Sequence, residues 1–250
     1  MRYFIELAYK GTNYHGWQLQ PNAITVQEEI NKALSTVLRI SINVVGAGRT
    51  DTGVHAEQLF AHFNVENELN VYEVVYKVNS ILPHDIVVHS IKKVADDAHA
   101  RFDATSRSYQ YRMFLGRNPF QIETTWQLNN KKLNIFKMNE AANILLNYSN
   151  FKCFSRSKTN VKTYNCDITK AIWVENENEL IFYISADRFL RNMVRAIVGT
   201  LLDVGSCKIT LKEFIQIIES ENRSNAGTSA PAQGLFLTQV NYPNSIFIDD

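Results

Sequence analysis

Residues 25–38 read Thr-Val-Gln-Glu-Glu-Ile-Asn-Lys-Ala-Leu-Ser-Thr-Val-Leu, and the order of elements around them decides the fold class. Thr25 and Glu28 have the spacing of a capping box, in which a hydroxyl and a carboxylate satisfy free amides at a helix start. Val26, Ile30, Ala33, Leu34, Val37 and Leu38 recur at helical spacing, so one face is expected to be buried. Before this helix, Arg2–Tyr9 is rich in aromatic and aliphatic side chains and reads as a strand, ended by the turn residues Lys10-Gly11-Thr12-Asn13. After it, residues 42–45 form a short strand, and Leu59, Ala61, Phe63 and Val65 alternate along another. The pattern then predicts a helix over 71–81, ended near Pro83, and a strand over 86–94. Strand, helix, strand, strand, helix, strand is the split βαβ, or ferredoxin-like, arrangement.

Much the same order returns later. A strand is expected over 108–115, a helix over 134–146, paired strands over 168–174 and 180–186, helices over 190–202 and 211–218, and a closing strand over 234–240. No matching sequence repeat accompanies it, so duplication rests on element order alone. The expectation is an α+β protein of two ferredoxin-like halves, 1–104 and 105–250, with the boundary within 95–107. Their mostly antiparallel sheets would join edge to edge, with helices on one face and an open cleft on the other. Long polymers suit such a groove better than closed pockets do.

Composition removes several function classes. No apolar run reaches the length needed to cross a bilayer, and Glu6 and Lys10 stand where a signal peptide would need an apolar stretch; a cytoplasmic protein is expected. Cys153, Cys166 and Cys207 form no CxxC, and the six histidines show no HExxH or paired spacing, so neither a disulfide framework nor a metal site is expected. A net charge of +1 says little by itself. Charge is clustered, however, with Arg101, Arg107, Arg112 and Arg117 in one basic stretch and Lys152, Arg156, Lys158, Lys162 and Lys170 in a second, and phosphate contacts need such patches. Solvated surface charge is the competing reading of the second. Negative charge gathers at Glu175, Glu177 and Glu179 and in the tail Asp249-Asp250.

The segment that stands out chemically is Gly46-Ala47-Gly48-Arg49-Thr50-Asp51-Thr52-Gly53-Val54-His55. Its glycines mark backbone that turns tightly or comes close to something. Arg49 can keep Asp51 ionised by charge pairing, and an ionised carboxylate can act as nucleophile or base. A simple turn, with Asp51 capping local amides and Arg49 at the surface, is the structural alternative. The lysine of a phosphate-cradling Walker loop is missing.

The string Gly-Arg-Thr-Asp-x-Gly-Val-His resembles the catalytic motif of the tRNA pseudouridine synthase A (TruA) family. Other segments resemble it in the right order, almost end to end: Tyr14-His15-Gly16-Trp17-Gln18, Phe102-Asp103-Ala104-Thr105, Tyr109-Gln110-Tyr111-Arg112, Phe189–Arg195 and Gln233-Gly234-Leu235. Thr52 departs from the family, which usually has Ala there. The resemblance implies isomerisation of uridine to pseudouridine at positions 38 to 40 of the tRNA anticodon stem-loop, without a cofactor. It implies Asp51 as the essential carboxylate, Arg195 as its partner, Arg49 as the arginine that displaces or holds the target nucleotide, and Tyr109 as the tyrosine that stacks on the target base. His55 is carried over as a substrate-side residue, with loop ordering by hydrogen bonding as the alternative. Trp17 and Tyr14 are open to stacking on RNA or to packing between strand and loop. A homodimer is also implied, since one tRNA is too large for one subunit's groove. Independently, Arg188, Arg191 and Arg195 would share one face of the helix expected over 190–202.

Two other functions fit parts of the sequence. A non-catalytic RNA-binding module would use the basic stretches and the open sheet without needing Asp51. A small-molecule transferase would use Asp51 as nucleophile, but no DxD metal pair flanks it and no second carboxylate can be assigned.

Overall fold

A computed structural model describes residues 1–129, 132–157 and 161–248. Lys158 of the second basic stretch and the acidic pair Asp249-Asp250 lie outside the described residues. The fold is mixed α+β, with a largely antiparallel sheet and, among the described residues, five α-helices. It divides into two units. One comprises Met1–Thr105 and the segment from Leu237 onward; the other is Ser106–Phe236. The chain therefore leaves the first unit once and returns to it.

In the first unit, β1 (Arg2–Tyr9), α1 (Val26–Leu38), β2 (Val45–Gly46), β3 (His55–Asn64), α2 (Val71–Ile81) and β4 (Ile86–Val94) follow in order. β1 lies between β4 and β3, antiparallel to both, and β2 pairs with the far side of β3 at Val45↔His62 and Gly46↔Ala61. Thr25 caps α1 by accepting the Glu28 N–H at 3.4 Å, while the Glu28 carboxylate sits 2.7 Å from Lys32 Nζ. The reciprocal pair of a complete capping box occurs instead at Thr210 and Glu213.

The two faces of this sheet differ. Tyr3, Ile5, Leu7, Leu59, Ala61 and Phe63 alternate onto one face and are wholly buried; the Tyr3 hydroxyl accepts the N–H of Leu69 just ahead of α2, which marks this as the helix side. The opposite face carries Phe4, Glu6, Gln58, Phe60 and His62. Gln58 and Ser90 both donate to the Glu6 carboxylate, and the rings of Tyr242 and Phe247 pack edge-on against Phe4. β9 (Leu235–Asn241) brings the chain back beside β3, where the Val240 N–H donates to Gln58 Oε1 at 3.0 Å.

The second unit holds β5 (Ser106–Leu115), β6 (Trp126–Leu128), α3 (Ile135–Ile144), β7 (Ile168–Asn176), β8 (Glu179–Ala186), α4 (Met193–Gly205) and α5 (Leu211–Glu219). β8 lies between β5 and β7, antiparallel to both, and β6 is a short parallel addition to β5. The helix expected over 190–202 begins later, at Met193. Asn192 at its N-terminus has φ +65°, a left-handed backbone that cannot continue a helix from the residues before it. Arg188 and Arg191 therefore stand outside the helix and share no helical face with Arg195. Asp187 stabilises this entry, its Oδ1 accepting the backbone N–H groups of Asp167 and Arg188, both at 2.7 Å.

Among the described residues no helix is long and apolar enough to cross a membrane, and no cluster of three or more His, Cys, Asp or Glu could hold a metal ion. All three cysteines are free thiols; Cys153 and Cys166 are buried, and burial pushes both up to about 12.

His62 is a buried imidazole whose Nδ1 accepts the Ala100 N–H at 3.1 Å. Burial first, then His99 and Arg2, push its pKa down to about 4. An unfolded chain with an ordinary imidazole binds the proton sooner as pH falls, so this contribution to stability is complete above about pH 6.5 and is lost between there and about pH 4. His62→Asn puts an amide oxygen in place of Nδ1 and removes the titration. The melting temperature of the variant is expected to fall less steeply than that of the wild type across this window; equal slopes would contradict the assignment.

Candidate active site

The loop between β2 and β3 is built from the backbone outward. The Ala47 N–H donates to the Phe60 carbonyl at 2.7 Å, which holds the loop's start to β3. The Val54 N–H donates to the Asp51 carbonyl at 3.1 Å, closing the turn Asp51-Thr52-Gly53-Val54. Gly53 has φ +77°, the conformation that the third residue of a type II turn requires, which explains the glycine two places after Asp51. Thr52, the departure from the family pattern, is exposed at the second place of that turn, where either Thr or Ala fits.

Residues 11–17 support this turn. The Gly53 N–H donates to the Tyr14 carbonyl at 3.3 Å and the Trp17 N–H to the Thr50 carbonyl at 3.2 Å. Gly16 has φ +86°, and a Cβ there would lie 2.4 Å from the Thr50 carbonyl oxygen, so only glycine permits the approach. The Thr50 hydroxyl, itself buried, hydrogen-bonds the Tyr9 hydroxyl at 2.8 Å. Trp17 and Tyr14 are 1% and 4% exposed, so both pack between strand and loop and neither is available to stack on RNA. The Tyr14 hydroxyl donates to Asp85 at 2.5 Å; burial, then this carboxylate, raises its pKa. The contributions of Tyr9, Gly11 and Asp85 to the loop were not apparent in the sequence, because each acts through a partner more than 40 residues away.

On this support Asp51 is half-buried and Arg49 is exposed. His55 is 1% exposed, and its Nδ1 accepts the Gly11 N–H at 3.0 Å. That geometry favours the loop-ordering alternative, since a ring sealed beneath the turn ties β3 to the end of β1.

Tyr109 and Arg195 belong to the second unit. Tyr109, on β5 opposite Ile184 of β8, is half-buried, with its ring edge-on to Phe189 at 5.0 Å. Arg195 lies in the first turn of α4. Its Nε donates to the Ala230 carbonyl at 2.6 Å, and the Ala230 N–H donates back to the Arg195 carbonyl at 2.9 Å. Segment 226–231 can lie this close because α4 has Gly199 where a Cβ would meet the Thr228 carbonyl oxygen. Arg223 holds the same segment, donating to the carbonyls of Ala226 and Gly227 and to the Ser229 hydroxyl. Neither role could be read from the sequence, which shows no regular pattern there.

The basic stretches are partly committed to structure. Arg107 donates to the Asp187 carbonyl, while Arg112 donates to Gln110 and lies 3.9 Å over the Phe236 ring. Arg101 and Arg117 are exposed. In the second stretch Lys152 approaches Glu221 at 3.5 Å and Lys170 lies over the Tyr183 ring.

A family model described as tRNA pseudouridine synthase matches residues 7–103 and 141–243. Proteins named tRNA pseudouridine synthase A are similar over nearly the whole chain. The one from Bacteroides fragilis is 54% identical over 248 residues, covering 98% of each chain. The one from Porphyromonas gingivalis is 48% identical over 251 residues, 99% of each. The one from Clostridium acetobutylicum is 40% identical over 240 residues, 95% of this chain and 98% of its own.

The loop geometry separates two glycines. A Cβ at Gly16 collides with the Thr50 carbonyl, whereas a Cβ at Gly48 meets nothing within 4 Å. Gly16→Ala is expected to destabilise the protein by on the order of 1–3 kcal/mol, and Gly48→Ala to leave the melting temperature unchanged. Thermal melts of the two variants check this, and equal melting temperatures would contradict it.

Proposed function

Because the chain belongs to the tRNA pseudouridine synthase family, we propose that it isomerises uridine to pseudouridine at positions 38, 39 and 40 of the tRNA anticodon stem-loop. The observation that carries this reading is the loop bearing Asp51, a half-buried carboxylate on a turn braced from beneath by Tyr14, Gly16 and Trp17. A turn serving only as a connection needs no such bracing; a carboxylate that must meet one atom of a nucleoside does.

The reaction breaks the N1–C1′ glycosidic bond, turns the uracil and rejoins it to the sugar through C5. The C5 proton is lost and N1 gains one, so the balance needs no oxidant, water or cofactor. A uridine in a stem must first leave its stack, at a cost of about a few kcal/mol, and contacts to phosphates and sugars supply that energy. In this reading Asp51 acts at the sugar C1′, as nucleophile or as base. Arg195, its guanidinium oriented by the Ala230 carbonyl, pairs with Asp51, and Arg49 holds the displaced nucleotide. Tyr109 stacks on the target base, and His55 keeps the loop in register from beneath. The same reading takes 1–104 and 105–250 as ferredoxin-like halves with sheets joined edge to edge and RNA lying across their helix-free faces. It places the protein in the cytoplasm as a homodimer.

Asp51→Asn is expected to abolish pseudouridine formation on unmodified tRNA while leaving tRNA binding close to wild type. Full activity in this variant would favour a non-catalytic role for the loop and overturn the assignment. Arg195→Lys keeps the charge but loses the planar fork, and is expected to lower kcat by on the order of 10²-fold. An unchanged kcat would remove Arg195 from the reaction.

A further inference from the structure

The segment joining β4 to β5 contains Phe102-Asp103-Ala104-Thr105, and no step of the proposed reaction uses it. Hydrogen bonds and ring contacts hold it at several points. The His99 carbonyl accepts the N–H groups of Phe102 and Asp103 at 3.1 and 3.0 Å, and the Asp103 carboxylate turns back to accept the His99 N–H at 2.7 Å. Arg2 donates to the Ala98 carbonyl at 2.8 Å and Tyr242 to the Ala100 carbonyl at 2.5 Å. The imidazoles of His62 and His99 pack at 4.6 Å, each using Nδ1 to accept a backbone N–H of the segment.

This order holds Phe102 out to solvent, next to the exposed Arg101. Phe102 is 74% exposed, with the His99 ring centroid 4.2 Å from that of its own ring and the Arg101 guanidinium 6.0 Å from it. An aromatic ring held ready beside a cation is the combination that unpaired nucleobases use, since every base has a face to stack and every nucleotide a phosphate. The neighbouring Asp103 carboxylate, which would repel RNA, is turned inward on the backbone. The position fits as well. His62, against which His99 packs, pairs with Val45, the first residue of β2, which leads directly into the Asp51 loop.

We propose that Phe102, with Arg101 beside it, is a stacking platform for an unpaired base of the RNA substrate, separate from the catalytic loop. The proposal rests on the reading of the chain as a tRNA-modifying enzyme. The platform adds affinity and fixes register without entering the bond-breaking step, and because stacking is sequence-tolerant it serves many tRNAs.

The test compares Phe102→Ala, Phe102→Leu and Phe102→Trp with wild type, measuring KM and kcat on unmodified tRNA. It also measures tRNA affinity with each change combined with Asp51→Asn, and melting temperature. Loss of the ring is expected to raise KM and weaken binding at least about fivefold, with kcat and melting temperature unchanged. Trp is expected to restore affinity and Leu not to. Wild-type affinity in the Ala variant, or equal rescue by Leu and Trp, overturns the proposal. So does a change of oligomeric state in light scattering with tRNA affinity per subunit intact, which would assign the ring to contact between copies of the chain. A wild-type protein that forms no pseudouridine would count against the function, while the binding series would still decide the platform.

Discussion

The support of one loop by another strand-end segment is the contact on which the rest of the site depends. Between β2 and β3 the chain leaves the sheet, and the loop's backbone groups need partners that the sheet does not supply. The Tyr14 carbonyl and the Trp17 N–H meet them at Gly53 and Thr50, at a separation that admits no side chain at Gly16. The same few residues also reach α1, since the Val26 and Gln27 N–H groups donate to the carbonyls of Gly16 and Trp17. Helix start, strand end and loop are thus fixed together, and a displacement of one is felt at Asp51.

The second unit solves a similar problem with different parts. Arg195 is a long side chain with many rotamers, and holding it in one of them costs entropy that its surroundings must offset. Reciprocal bonds with Ala230, the close approach at Gly199 and the three donations from Arg223 do this.

The sequence made some of this legible. Residues 71–81 and 86–94 show their periodicity without interruption, and the helix and strand lie there. The string from Gly46 to His55 marked a loop of tight turns between two strands, and its Asp-x-Gly spacing follows from the turn it forms. Other features were hidden for identifiable reasons. The apolar spacing of residues 190–202 reads as helix from its first residue, and a single left-handed backbone at Asn192 moves the start and takes Arg188 and Arg191 off it. β6 is three residues long, too short to show alternation, and β2 pairs only at Val45 and Gly46. Trp17 and Tyr14 have the composition of an RNA-stacking pair, and only their burial shows that they brace the loop.

The central claim is that Asp51, carried on this braced loop, converts uridine to pseudouridine in the anticodon stem-loop of tRNA. The most direct measurement maps pseudouridines in cellular tRNA before and after loss of the protein. The account predicts that those at positions 38 to 40 disappear while the others persist. An unchanged map would contradict it.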